Sequence, residues 1–150
     1  MWFLESTFTM MVQKLPMVTS LIVTKTKLTL LICGVSSLLM GLVFFFFPHY
    51  YAALEGANFE NIAWLRNLGA ALIAVNGVGA LLAYKDPRRE IKLYDVVLLA
   101  SSLETLALTW STIEWEFSAT SEWFIKIPLL MAALVTVLLI IYRPKPIKKA

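Results

Sequence analysis

Glu104 stands in the stretch LLASSLETLALT, residues 98–109, as one full negative charge in an otherwise apolar run. At the centre of a bilayer such a carboxylate costs about 2.5–3.5 kcal/mol on insertion scales, so it must be protonated, paired or set in a wet cavity. Two cations stand about one turn inside neighbouring apolar runs, Arg66 and Lys126. The long guanidinium arm of Arg66 can reach inward and form charge-assisted bonds. The expectation is a Glu104–Arg66 pair supported by Lys126. Asn67 and Asn76 add polarity on the Arg66 segment, Ser101, Thr105 and Ser111 lie near the Glu104 face, and His49 sits over the cluster.

Two readings of these residues follow. In one, a buried ion pair fixes helix register, and Glu104→Leu strands a cation that Arg66→Met then relieves. In the other, the same groups form a ligand, ion or proton site open to the non-cytoplasmic side.

Other chemistries are missing from the residue types themselves. The chain has one His and one Cys, too few for a metal centre, and no CxxC, HExxH or Gly-rich phosphate loop. With the one imidazole at a loop edge, no Ser-His-acid set is evident, and catalysis is not expected. No cofactor is expected either. His49, between Pro48 and Tyr50, reads as an interface residue; the alternatives near it are a lipid, a quinone or an axially ligated pigment. Cys33 reads as a small packing residue.

The elements that position these groups are apolar helices. The chain has 150 residues, 59% hydrophobic and 15% charged, with a mean hydropathy of +0.76. A soluble domain has about 45–50% apolar residues. The class is therefore an all-α membrane protein of one domain. Four segments approach the roughly 20 apolar residues that a bilayer crossing needs: about 28–47, 62–84, 91–113 and 123–142. Pro48 follows the first, KDPRRE separates the second from the third, and RPKP ends the fourth. The short KDPRRE connection makes spans 2 and 3 antiparallel neighbours. The expected architecture is an antiparallel four-transmembrane-helix bundle. Residues 1–24 precede it as an interfacial segment or tail, 25–143 form it, and 144–150 are a basic tail.

Charge asymmetry gives the orientation. Lys14, Lys25 and Lys27 precede span 1; Lys85, Arg88, Arg89 and Lys92 join spans 2 and 3; Arg143, Lys145, Lys148 and Lys149 follow span 4. The other two loops carry Glu55, Glu60, Glu114, Glu116 and Glu122 and no Lys or Arg. Both termini then lie on the cytoplasmic side of a bacterial inner membrane, or the matrix or stromal side in an organelle. Trp64, Trp110, Trp115 and Trp123 mark the opposite interface. The net charge of +3 is not clustered as nucleic-acid binding requires.

Small residues recur at helical spacing on two spans: Cys33, Ser37 and Gly41 on the first, and Gly69, Gly77 and Ala80 with Ile73 on the second. They allow close helix approach in lipid, within the chain or between copies. Near the basic side, Asp95 is expected to pair with Lys92 or a nearby Arg. The first sixteen residues divide on a helical wheel. Glu5, Ser6, Thr9 and Gln13 fall on one arc, and Leu4, Phe8, Met11 and Leu15 on the other, as in an interfacial helix.

The opening of span 2, with Leu65, Arg66, Gly69 and Ala70, and the DPRR turn, Asp86–Arg89, resemble the small four-helix membrane proteins of the DoxX-like group, including BphX-like families. The resemblance covers about residues 28–142 and implies a left-handed four-helix bundle. Many of those relatives carry histidine where this chain has Glu104, so no site residue is carried over.

The function expected from these features is that of a non-catalytic multi-pass membrane protein. It would be an accessory or structural subunit, or an assembly partner, of a larger energy-converting membrane complex. Its partners would be the lipid bilayer and other membrane subunits or further copies of itself. The alternatives are a small homo-oligomeric transporter using Glu104, and a quinone- or lipid-binding subunit supporting an oxidoreductase.

Overall fold

A computed structural model describes the backbone of residues 2–55, 62–114 and 122–145, and the side chains of 20–54, 62–114 and 126–145. The described residues form helices joined by short turns, without a strand. Helix α1 is Trp2–Phe46 and α2 is Pro48–Glu55. Helix α3 runs over Ala63–Lys85, α4 over Ile91–Ile113 and α5 over Glu122–Ile141.

Three helical segments are long and apolar enough to cross a membrane: Ser20–Phe46, Ala63–Lys85 and Ile91–Ile113. Lys126–Ile141 is a shorter apolar stretch of α5. These lengths mark an integral membrane protein. Large apolar side chains stay exposed along every one of them, including Leu39 and Phe46 on α1, Leu82 on α3, Leu103 and Leu106 on α4 and Leu134 on α5. A protein in water would bury such surface; lipid does not oppose it.

Two boundaries differ from the sequence-based expectation. Helix α1 begins at Trp2 and continues unbroken through Lys25–Leu28, where a separate N-terminal segment was expected to end. Its 45 residues span about 68 Å at roughly 1.5 Å per residue, twice the hydrocarbon thickness. The loop after span 1 opens with α2: Pro48, read as a stop, is also the first residue of the next helix, where its missing N–H is no loss. The side chains of the first nineteen residues, and those of Trp115, Glu116, Glu122, Trp123, Lys148 and Lys149, lie outside the described ones.

Helices α1 and α3 meet through glycine. A Cβ on Gly69 would lie 2.7 Å from the Gly41 carbonyl and 2.8 Å from the Phe45 nitrogen; one on Gly41 would lie 2.8 Å from Ile73 Cγ1. Gly34 and Gly77 face Leu81 and Leu38 in the same seam. The expected small-residue faces are therefore consumed within the chain, with one change. Gly34 stands at the closest α1–α3 approach, while Cys33 and Ser37 line a cleft beside it.

Two apolar clusters hold the helices. One, towards the basic ends, joins Leu30 and Cys33 of α1, Ala80 and Ala83 of α3, Tyr94 and Val97 of α4, and Val135 and Leu139 of α5. The other joins Phe44, Tyr51, Ala52, Leu65 and Leu72 from α1, α2 and α3 only. Phe44 and Tyr51 stack edge to face at 4.4 Å. The outer halves of α4 and α5 contribute no buried residue to this second cluster, and a gap opens beside it.

Polar bonds close the basic end. Tyr94, fully buried, donates to the Leu139 carbonyl at 2.5 Å, and Thr26 donates to the Tyr142 carbonyl at 2.6 Å. These carbonyls lie in the last turn of α5 and just past it, where the backbone runs out of intrahelical donors. Arg143 grips Asp95 through two bonds of 2.9 and 2.8 Å, so the nearby Arg expected for Asp95 comes from the far end of the chain. Lys25 sits over the Tyr142 ring and Lys27 over the Tyr84 ring.

Candidate functional site

The centre of α3 is not an α-helix. Leu72–Gly79 is wound as a π-helix, flanked by α-helical Ala63–Ala71 and Ala80–Lys85. Such wide turns are rare and recur at functional sites. Asn76 lies in this segment, 4% exposed, with its side chain directed at α4. Its Nδ2 donates to Glu104 Oε2 at 2.9 Å, and its Oδ1 is buried without a hydrogen-bond partner among the described residues.

This replaces the expected ion pair. Glu104 is bonded to a neutral amide, and neither Arg66 nor Lys126 pairs with it. The reason is register. The tight turn after Lys85 makes α3 and α4 antiparallel and brings Asn76 level with Glu104. Arg66 lies ten residues nearer the start of α3, about 15 Å further along the axis. Arg66 and Asn67 are both exposed. Lys126 is exposed on α5, with an interaction of its own. His49 is exposed on α2 and does not border Glu104.

Beside Glu104 lies a cleft of about 170 Å³, open on one side. Cys33, Ser36, Ser37 and Met40 of α1 form one wall and Leu72 of α3 its back; Ser101 and Glu104 come from α4. Ile127, Pro128, Met131, Ala132 and Val135 of α5 form the opposite wall. Cys33 and Val135 belong to the basic-end cluster and Leu72 to the other, so the cleft is the space between the two cores. Ile127 and Met131, 56% and 41% exposed, stand at its mouth.

Two hydroxyls near the carboxylate are committed as donors to backbone carbonyls. Ser36 Oγ donates to the Cys33 carbonyl at 3.2 Å, and Thr105 Oγ1 donates to the Ser101 carbonyl at 2.8 Å. Thr105 and Thr136 are 3.1 Å apart and tie α4 to α5 behind the cleft. The Cys33 thiol lies 3.9 Å from both the Asn76 carbonyl and Ser101 Oγ.

Of the predicted site residues, the fold brings Glu104 and Asn76 together and leaves Arg66, Asn67, Lys126 and His49 outside. Cys33, Ser36, Ser37, Met40 and the α5 wall were missed. The pairing of Asn76 with Glu104 was available in principle, from the antiparallel register that the KDPRRE turn imposes. Among the described residues, no group of three His, Cys, Asp or Glu side chains is placed to hold a metal ion. Comparison of the chain with protein-family models, curated proteins and solved structures finds no match. The DoxX-like resemblance therefore rests on Leu65, Arg66, Gly69, Ala70 and the Asp86–Arg89 turn alone.

Proposed function

We propose that the chain is a non-catalytic, multi-pass membrane protein of four spans whose cleft takes up a small amphiphile from the bilayer. The observation that carries this reading is Glu104 itself: a carboxylate lining an apolar, open cleft, partnered by an amide and, among the described residues, by no cation. A residue kept only to fix register has no use for a cleft, and intramembrane ionisable groups mark ligand or ion paths.

In this reading α5 is the fourth span, and both termini lie on the basic side. The basic residues of three sections meet near one end, with Lys25 over Tyr142 and Lys27 over Tyr84, which is what a cytoplasmic, matrix or stromal rim needs. Single cysteines placed at residue 3 and residue 149 in a Cys33→Ser background test the topology. Both should react with an impermeant maleimide only after the membrane is opened from the cytoplasmic side. Uptake is tested by a photoreactive apolar probe, whose crosslinks should map to Met131 and Ile127; labelling spread evenly over the exposed faces would sink it.

The second reading, an accessory subunit of a larger membrane complex, is favoured by a different observation. On α4, Val96, Leu99, Leu103, Leu106, Trp110 and Ile113 form a continuous exposed apolar stripe at alternating three- and four-residue spacing. Such a stripe suits a partner helix as well as lipid. Purification in mild detergent with native sizing separates the two: stoichiometric co-migration with a large assembly supports the subunit, and a lone particle opposes it.

A further inference from the structure

We infer that the cleft selects a small monocationic amphiphile: a protonated amine carrying one ring or a short branched chain. This rests on the reading of the cleft as a binding site and names its ligand class.

Glu104 is the one ionisable carboxyl lining the space, beside the Ser36, Ser37 and Ser101 hydroxyls and the Cys33 thiol. Glu104 Oε2 accepts from Asn76, and no second side-chain donor to the carboxylate is found among the described residues. The Ser36 hydroxyl proton is spent on the Cys33 carbonyl, so its oxygen offers lone pairs. Asn76 holds the carboxylate from the α3 side through Nδ2, and its buried Oδ1 has no partner among the described residues. An ammonium group supplies three donors and no acceptor, the complement of an ionised carboxylate. It also supplies the positive charge that neither Arg66 nor Lys126 brings.

The same inventory argues against the other occupants. A quinone carbonyl would bring an acceptor to the Glu104 carboxylate, itself an acceptor when ionised. An anionic headgroup would meet a carboxylate in a medium of low dielectric. The apolar remainder is set by Met40, Leu72, Met131 and Val135. About 170 Å³ is close to the volume of an engineered cavity that holds one benzene ring. Met40 on α1 and Met131 on α5 give the lining soft, adaptable packing. Entry is past Ile127 and Met131, from the lipid side.

The test uses the full chain in nanodiscs of zwitterionic lipid, with empty nanodiscs subtracted. Radiolabelled 2-phenylethylamine is compared with its neutral isostere 2-phenylethanol, on the wild type, Glu104→Gln and Ala132→Phe. Glu104→Gln keeps a carbonyl oxygen for Asn76 Nδ2, so the helix pairing persists; Ala132→Phe fills the cleft. The expected result is amine binding roughly ten- to hundredfold tighter than alcohol, the range of a charge-assisted bond. That preference should vanish in Glu104→Gln, and both probes should be lost in Ala132→Phe. Equal binding of both probes, or a preference that survives Glu104→Gln, overturns the cation assignment and leaves the cleft intact. If neither probe binds the wild type, or Ala132→Phe changes nothing, the cleft reading itself falls. The wild-type comparison needs no variant and stands even if one fails to fold.

Discussion

The side-chain amide of Asn76 donates to Glu104 Oε2 across 2.9 Å, while the Arg66 guanidinium is exposed ten residues away on the same helix. Arg66 therefore contributes little to holding the helices together. Arg66→Met should change unfolding free energy by no more than about 0.5 kcal/mol, the usual range for a surface substitution. Added to Glu104→Leu it should recover nothing. Denaturant titration of the three variants in detergent micelles checks this, and rescue by Arg66→Met would restore the ion pair.

The α1–α3 seam predicts a contrast between glycines. Gly69→Ala places a methyl 2.7 Å from the Gly41 carbonyl, a backbone atom that can yield only if the helices separate. It should destabilise by about 1–3 kcal/mol despite the better helix propensity of alanine. At Gly79 the nearest atom is Val97 Cγ2 at 3.3 Å, the end of a side chain. Gly79→Ala should be neutral or mildly stabilising. Thermal melts of the two variants side by side give the sign of each.

Tyr94→Phe isolates one hydroxyl. It leaves the apolar packing of the basic-end cluster in place and removes the donor to the Leu139 carbonyl. That carbonyl is in the last turn of α5 and becomes a buried acceptor without a partner. The expected loss is about 1–3 kcal/mol. No loss at all would mean that another donor already serves Leu139.

These sites differ in how far the sequence revealed them. The bounds expected for spans 2 and 3 lie within a residue of Ala63–Lys85 and Ile91–Ile113, because the apolar runs and the KDPRRE turn are local signals. Gly41, Gly69 and Gly77 were legible for the same reason: small residues at helical spacing point to a close approach wherever the partner lies. Depth along a helix was less legible. Counting Glu104 and Arg66 inward from the span ends put them within reach, whereas the turn fixes which residues stand level, and it chooses Asn76. The π-wound turn at Leu72–Gly79 has no sequence signature, yet it bears the residue that meets Glu104. Pro48 misled by serving two helices at once.

The cleft makes its own prediction about packing. Ala132 lines it, whereas Ala83 is fully buried in the basic-end cluster. Ala132→Phe should be neutral or stabilise by up to about 2 kcal/mol, as cavity-filling substitutions do. Ala83→Phe should destabilise by about 1–3 kcal/mol or prevent folding, because that core has no room. Equal damage from both would mean that the cleft closes in the membrane.

Which group holds Glu104 is measured directly by a pair of double-mutant cycles. Asn76→Leu and Glu104→Leu, singly and together, should show a coupling of about 1.5–3 kcal/mol, as expected for a hydrogen bond to a charged acceptor. The parallel cycle of Arg66→Met with Glu104→Leu should show none. Strong coupling in the Arg66 cycle and none in the Asn76 cycle would contradict the Asn76–Glu104 pairing, returning Glu104 to an ion pair and leaving the cleft without its carboxylate.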